Sequence, residues 1–216
     1  MSKSIVSWIA TCAAATALAL SFTTPALAGD PQAGEQKSLV CSACHGQDGN
    51  SISPEWPSLA GQNARYTAEQ MRLFRSGHRN NIVMAAQAMM LTDEDIADLS
   101  AYYATLIPAG LEADPSFYKA GEALYRAGDR LRNIPSCKGC HGPVGVGNPA
   151  AGYPALRAQH SMYTIMQLEA YANEQRYLDA EGNKQKSLNG HMMTTISKRL
   201  TEEDRRNLAS YIQGMR

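Results

Sequence analysis

Cysteine is scarce in this chain of 216 residues, which contains only five. Four of them form two closely spaced pairs, Cys41 with Cys44 and Cys137 with Cys140, and the fifth, Cys12, lies in the N-terminal segment. Beyond the N-terminal segment, no cysteine is therefore left over for a structural disulfide, for a cysteine nucleophile or for a thiolate ligand outside the two pairs.

The sequence also lacks the strict alternation of apolar and polar residues that is typical of strands. Apolar residues recur instead at helical spacing, as at Tyr66, Leu73 and Phe74. Thr92 and Thr201 are each followed by three acidic residues, which suit the N-terminal end of a helix dipole. Two apolar stripes after these caps are predicted to pack inward: Ile96, Leu99 and Tyr103, and Leu208, Tyr211 and Ile212. The predicted fold class is all-α.

A five-residue motif, Cys-x-x-Cys-His, occurs twice, at residues 41–45 and 137–141. This order of residues is the attachment signature of a c-type haem, in which each thiol adds to a haem vinyl group and the histidine binds iron from one face. The two copies predict two covalently bound haems c. Cys41, Cys44, Cys137 and Cys140 are the predicted attachment residues, and His45 and His141 are predicted iron ligands. A protein built around two such haems is expected to move electrons.

Other uses of paired cysteines explain these motifs less well. Zinc normally takes four nitrogen or sulfur ligands, and each motif supplies three. A thioredoxin-like motif needs neither the following histidine nor a second copy. A disulfide across a two-residue gap would close a small, strained loop. We therefore interpret both motifs as haem sites.

The N-terminal segment has the features of a cleavable signal peptide. Lys3 supplies a positive charge, residues 5–20 are mostly apolar, and Ala26-Leu-Ala28 is a cleavage site of the A-x-A type. The alternative is an uncleaved membrane anchor, but Ser and Thr residues interrupt the apolar run. We expect residues 1–28 to be removed and the mature protein to be periplasmic, with loose association with the membrane as a further possibility.

The formal net charge of the chain is zero at pH 7, so the chain has no excess of basic residues. Loss of Lys3 with the signal peptide and addition of the propionates of two haems would make the mature protein acidic. This balance argues against nucleic acid and favours redox partners that have a basic docking patch.

Most of the chain consists of two copies of an internal repeat. Matched positions include Gly34 with Gly121, Gln62 with Gln159, Tyr66 with Tyr163, Gln70 with Gln167, Arg79 with Arg176, and Thr92 with Thr201. Two insertions in the second copy, at residues 126–136 and 177–190, are predicted to be surface loops. A linker near residues 108–115 divides the mature chain into domains at residues 29–108 and 109–216, each small enough that a haem must fill much of its core.

A second axial ligand decides whether each iron is closed or open to small molecules. Met84 lies seven residues before Leu91, and Met193 lies seven residues before Leu200. This shared register selects Met84 and Met193 as the predicted ligands. Met192 is the main rival in the second half, and Met89 and Met90 are weaker rivals in the first.

Other polar residues have weaker roles in this interpretation. The three free histidines, His78, His160 and His191, are interpreted as surface residues or as residues behind the ligands. Pro57 and Pro154 lie 12 and 13 residues after His45 and His141, so their carbonyls could accept the imidazole Nδ1–H; simple loop prolines are the alternative. Arg79 and Arg176 are candidates to pair with haem propionates, and solvated surface arginine is the alternative.

These motifs together resemble the cytochrome c4 family, which are dihaem cytochromes c with two class I domains. The resemblance covers nearly all of the mature chain. It depends on both Cys-x-x-Cys-His motifs, on the Pro-x-Leu-Ala-Gly-Gln type of segment after each, and on the methionine and Leu-Thr-x-x-Asp that close each half. Arg157, where the first half has Ala60, departs from that segment without touching a ligand position.

The resemblance implies axial roles for His45, Met84, His141 and Met193. It also implies a pseudo-twofold axis between the domains, with the propionate edges of the haems close together. In this family the protein is a periplasmic carrier, often associated with the membrane, that passes electrons toward a terminal oxidase.

Three functions compete at this point. The leading hypothesis is a dihaem carrier that is not an enzyme, reduced by a quinol-oxidising complex or a dehydrogenase and oxidised by a terminal oxidase. The second is the haem subunit of a multi-subunit dehydrogenase, such as a flavocytochrome c sulfide dehydrogenase. The third is a dihaem peroxidase or thiosulfate-oxidising enzyme, which needs an open iron or an unusual ligand such as cysteine, and no spare cysteine exists.

Overall fold

A computed structural model of the chain describes residues 29–177 and 187–216. Residues 1–28, where the signal peptide is predicted, and residues 178–186 of the second insertion lie outside the described residues. The helices are α1 Pro31–Lys37, α2 Ser42–His45, α3 Ala64–Arg75, α4 Ile82–Met89, α5 Asp93–Thr105, α6 Tyr118–Ala127, α7 Lys138–His141, α8 Ser161–Ala172, α9 Leu188–Ser197 and α10 Glu202–Gln213. Within the described residues the only β pairing consists of isolated bridges, which confirms the all-α prediction.

The first helix of each half crosses the last helix of that half at a glycine. Helix α1 packs against α5, and α6 packs against α10. A Cβ atom on Gly34 would lie 2.1 Å from the carbonyl oxygen of Asp98, and one on Gly121 would lie 1.9 Å from that of Asn207. Only glycine therefore permits these two close backbone approaches, and the repeat in the sequence is a repeat in packing.

The closing helices α5 and α10 begin with the same capping box. The Thr92 hydroxyl accepts a hydrogen bond from the Asp95 backbone N–H, and the Asp95 carboxylate accepts one from the Thr92 backbone. Thr201 and Asp204 repeat this arrangement. The predicted caps are thus confirmed. The two apolar stripes that follow them are buried as predicted.

Each half has an apolar core of its own, and a third cluster joins the halves. The buried core of the first half is Met71, Ile96, Leu99 and Tyr103. That of the second half is Leu124, Tyr125, Ile134, Leu200, Leu208, Tyr211, Ile212 and Met215. In the third cluster, Leu73 of the first half packs with Tyr171 and Tyr177 of the second. The halves therefore share apolar as well as polar contacts.

Two glutamines at matched positions reach across to the backbone of the other half. Gln62 donates from Nε2 to the carbonyl of Ala155 at 2.9 Å, and its Oε1 accepts from the Ala155 N–H at 2.8 Å. Gln159 makes the corresponding pair with Ser58, at 2.9 Å and 3.0 Å. Because Ser58 and Ala155 both follow the prolines of the repeat, the two pairs of bonds are equivalent.

The insertion at residues 126–136 is only in part the surface loop that the sequence predicts. Leu131 is 96% exposed, but Ile134 is 3% exposed and belongs to the core of the second half. The prediction was wrong for Ile134 because Leu131 and Ile134 are too few apolar residues to give a periodic signal.

No helix within residues 29–177 and 187–216 combines the length and apolar character needed to cross a membrane.

Candidate functional site

The first Cys-x-x-Cys-His motif is folded as one helical turn. Cys41 caps helix α2, and its carbonyl accepts the backbone N–H of His45 at 3.0 Å. Gly46 then ends the helix with a φ of 80°, a conformation that favours glycine, and turns the chain into the loop that contains Pro57. The Nδ1 atom of His45 lies 2.8 Å from the Pro57 carbonyl oxygen.

The second motif has the same geometry. Cys137 caps helix α7, its carbonyl accepts the His141 N–H at 2.9 Å, and Gly142 ends the helix with a φ of 81°. The Nδ1 atom of His141 lies 2.9 Å from the carbonyl oxygen of Pro154. Both prolines therefore have the predicted contact with the histidine of their motif, and the alternative of simple loop prolines is wrong.

These contacts fix which nitrogen of each imidazole is free. A carbonyl oxygen can only accept, so the proton must lie on Nδ1, and Nε2 keeps its lone pair. Burial lowers the pKa of both His45 and His141, opposed by the bond to the carbonyl, and so favours the neutral ring. Each motif thus presents one neutral imidazole Nε2, which is the form that binds a metal.

The first cysteine of each motif is turned toward the core of its half. Cys41 packs against the core of the first half, and Cys137 packs against that of the second. Burial raises the pKa of Cys137 to about 11, and it also raises the pKa of Cys41. Because a reactive thiol needs thiolate character at neutral pH, this environment disfavours a thioredoxin-like redox pair.

The candidate methionine ligands lie on separate helices from the motifs, at equivalent places in the two halves. Met84 is in α4, which packs on α3, and Met193 is in α9, which packs on α8. Both side chains are half-buried, as is Met192. Met89 and Met90, the weaker rivals in the first half, are 70% and 83% exposed.

Comparison with known proteins identifies the family. The family model described as cytochrome c matches residues 31–106 and again residues 118–216. Cytochrome c4 of Pseudomonas aeruginosa is 40% identical over 188 residues, which cover 87% of this chain and 90% of that protein. The crystal structure of reduced recombinant cytochrome c4 from Pseudomonas stutzeri matches with a TM-score of 0.80 at 37% identity, over 88% of this chain and 100% of that one. The chain belongs to the cytochrome c4 family.

Membership of the cytochrome c4 family confirms two predictions made from the sequence. The fold is two tandem cytochrome c domains, and the cofactor is two covalently bound haems c. The chain is therefore an electron-transfer protein that works with redox partners. A further relative, named thiosulfate dehydrogenase electron acceptor, from Thiomonas intermedia, is 35% identical over 208 residues, which cover 93% of this chain and 88% of that protein.

The residues of each cytochrome c4 motif fit a covalently attached haem. Two thiols and an imidazole are brought to one short helical turn, and the imidazole offers a neutral Nε2 whose ring is held by a backbone carbonyl. When haem is bound, this donor set would offer two thiols for attachment and one imidazole nitrogen as a donor.

Six residues that repeat between the halves of the chain meet at the domain interface. They are Tyr66, Gln70 and Arg79 of the first half and Tyr163, Gln167 and Arg176 of the second. The arginines are 7% and 6% exposed, so the alternative of solvated surface arginine is wrong.

His160 makes a contact between the two halves that the sequence did not predict. It is buried, and its Nε2 lies 2.7 Å from the carbonyl oxygen of Ser51 in the other half. The Ser51 hydroxyl in turn donates to the carbonyl of Cys44 at 3.0 Å, so His160 is linked to the first haem motif through one residue. The signal that was available is its place directly after the repeated Gln159. His78 and His191 are both more exposed than His160.

Proposed function

We propose that the chain is a dihaem carrier in which protein side chains bind each iron on both faces, and that it is not an enzyme. His45 and Met84 are the proposed ligands of the first iron, and His141 and Met193 those of the second. The observation that carries the proposal is the bond from Nδ1 to a proline carbonyl in both motifs, because it leaves Nε2 as an oriented donor. The methionines are supported by their shared register before the closing helices.

In this proposal, hydrogen bonds to the backbone orient the histidines that would bind iron. Bound haem supplies a one-electron couple, and methionine ligation favours its ferrous form. The carbonyls of Pro57 and Pro154 orient the imidazoles and raise their basicity. An iron with a protein ligand on each face has no open position for oxygen or peroxide, which favours a carrier over a peroxidase.

We propose a periplasmic location, with the signal peptide at residues 1–28 and the domain boundary between residues 108 and 109. The proposed electron donor is a quinol-oxidising complex or a dehydrogenase, and the proposed acceptor is a terminal oxidase. The expected acidity of the holoprotein supports partners with basic docking surfaces and disfavours nucleic acid. Peripheral association with the membrane is part of this proposal.

Acceptance of electrons from a dehydrogenase is the second candidate function. The relative from Thiomonas intermedia, whose name makes it an electron acceptor of thiosulfate dehydrogenase, aligns with nearly the whole chain and supports this candidate. The haem subunit of a flavocytochrome c sulfide dehydrogenase is a variant of the same idea. Rapid-mixing reduction by a thiosulfate dehydrogenase with thiosulfate, compared with reduction by a quinol-oxidising complex, separates the candidates. Co-purification with a flavoprotein would favour the subunit variant.

Substitution of the methionines tests the ligands. Met84→Ala and Met193→Ala are each expected to open one iron, so that the reduced holoprotein binds one equivalent of carbon monoxide, while the wild type binds none. Optical spectra of the reduced protein before and after addition of carbon monoxide measure this.

Met90→Ala and Met192→Ala are the matched controls, and both are expected to stay closed to carbon monoxide. A closed Met84→Ala or Met193→Ala variant would refute that ligand. Carbon monoxide binding by Met192→Ala, with Met193→Ala closed, would transfer the role to Met192.

A further inference from the structure

Arg79 and Arg176 lie together in the interior where the two halves meet. They are 7% and 6% exposed, and their backbones form an isolated antiparallel bridge. A guanidinium stays protonated in proteins, so this interior holds two like charges side by side. Such charges are costly to bury unless anions or hydrogen bonds compensate them.

Arg79 belongs to the first half and is bonded mostly to the second. Its Nη1 donates to Oε1 of Gln70, in its own half, at 3.0 Å. Its Nη2 donates to the hydroxyl of Tyr163 and to Oε1 of Gln167, both of the second half, at 2.8 Å each.

Arg176 makes the corresponding bonds in the opposite direction. Its Nη1 donates to Oε1 of Gln167, in its own half, at 2.7 Å. Its Nη2 donates to Oε1 of Gln70 at 2.6 Å and to the hydroxyl of Tyr66 at 3.5 Å, both in the first half. Each glutamine oxygen thus accepts from both arginines, and the two cations form one connected unit.

Within the described residues, compensation of this charge is weak: half-buried Glu69 attracts Arg176 without an ion pair. Every acceptor named above is a neutral amide or phenol. No carboxylate of the described residues forms an ion pair with either arginine, and Nε of Arg176 is buried without a hydrogen-bond partner among them. Although burial opposes ionisation of Tyr66, the charges of Arg176 and Arg79 hold its pKa below the ordinary value. The interior is therefore a place that favours additional anions.

We propose that Arg79 and Arg176 form one shared positioning pair, which receives propionate carboxylates of both haems and sets the reduction potentials of the two irons together. This inference rests on the proposed function as a carrier with two haems. Propionates are the anions that the cofactors bring, and guanidinium groups match carboxylates through paired N–H donors. A fixed cation near a haem disfavours the more positive ferric state and so raises the potential.

Removing one of the two charges tests whether the pair is shared. In the Arg79→Gln holoprotein both midpoint potentials are expected to fall, although Arg79 belongs to the first half alone. Arg176→Gln is expected to lower both as well, and it provides the same test from the other half if Arg79→Gln fails to fold. An optical redox titration of the wild type and each variant measures both potentials.

Two controls separate charge from structure. Arg79→Lys keeps the positive charge and loses the planar set of N–H donors of the guanidinium group. Both potentials are therefore expected to stay nearer the wild-type values than in Arg79→Gln. Arg126→Gln removes an exposed arginine whose partner is Glu122 and should leave both potentials unchanged. The shifts in Arg79→Gln should persist at high ionic strength, because salt screens buried charges weakly.

If only one potential falls, the proposal that both haems share the arginine pair is wrong. If neither potential falls, the proposal that the pair sets the potentials is wrong. An equal fall in Arg79→Lys would overturn the electrostatic cause. Carbon monoxide binding by the reduced wild type would contradict the proposed ligands instead, so the two proposals fail by different readouts.

Discussion

Tyr125 is fully buried beside the second haem motif, and its hydroxyl donates to the carbonyl of Gly142 at 2.7 Å. Gly142 directly follows His141, the proposed iron ligand, so this bond ties helix α6 to the turn that leaves the motif. Tyr125→Phe is expected to lower the free energy of unfolding by about 1 kcal/mol, because the Gly142 carbonyl loses its donor. Denaturant unfolding of the holoprotein measures the change.

Tyr103 provides the matched control in the first half. It is 2% exposed, and within the described residues its hydroxyl has no oxygen or nitrogen partner and lies beside the Cys41 sulfur. Tyr103→Phe should therefore cost little stability or none. Equal losses in the two variants would show that the Gly142 bond contributes nothing of its own.

Single residues were predictable from the sequence where the repeat preserves the residue type. The proline carbonyls and the capping threonines recur in both halves. The two arginines also recur, but the sequence left a surface position open for them. His160 escaped because its matched residue is Asn63, which donates from Nδ2 to the carbonyl of Tyr153 at 2.6 Å. The amide and the imidazole each bond a backbone carbonyl of the other half, although the two carbonyls lie at different places in the repeat. A comparison of residue types therefore does not reveal that both positions bridge the halves.

At the scale of helices, the two glycine crossings allow a direct test. Gly34→Ala and Gly121→Ala would each place a Cβ within 2.1 Å of a carbonyl oxygen on the partner helix. Each is expected to force the helices apart and to lower the free energy of unfolding by about 1–3 kcal/mol. Thermal unfolding of each holoprotein measures the loss.

Gly139→Ala is the control for this pair of variants. The nearest atom to a Cβ at Gly139 is 3.8 Å away, and Ala43 stands at the same place in the first motif. Its stability should stay near that of the wild type. If the Gly34→Ala variant is as stable as Gly139→Ala, the contact between helices α1 and α5 can accommodate a Cβ atom.

The positions of α3, α5 and α10 followed from apolar spacing and caps, because both are local signals, whereas helices α4 and α9 around the candidate methionines were not predicted. The burial of Ile134 did not, since its place in the core depends on a turn between α6 and α7 that no local pattern marks. The assignment of Met193 over Met192 depends on register alone and stays a prediction.

At the scale of the whole molecule, Gln62 and Gln159 are expected to make the halves unfold together. Gln62→Ala leaves the N–H and C=O of Ala155 unpaired, which costs about 1–3 kcal/mol, and Gln159→Ala does the same at Ser58. The variant with both changes is expected to show two resolved calorimetric transitions where the wild type shows one.

Gln87→Ala, at an exposed position in helix α4, is the control and should keep the single transition. If the variant with both changes also keeps one transition at the wild-type temperature, the halves are coupled by other contacts.

The two domains were evident in the sequence, but their packing was not. The glutamines repeat, yet their partners are backbone groups, which have no signature in the sequence. The third apolar cluster likewise combines residues that lie about 100 positions apart.

The exchanged glutamine bonds have the form of an isologous dimer interface, in which residue i of one subunit meets residue j of the other and j meets i. The residues between α5 and α6 join the two partners covalently. Their association is therefore governed by an effective local concentration that does not fall on dilution. A pair of separate single-haem proteins with the same surface would come apart at low abundance, whereas this chain keeps its two redox centres together at any concentration.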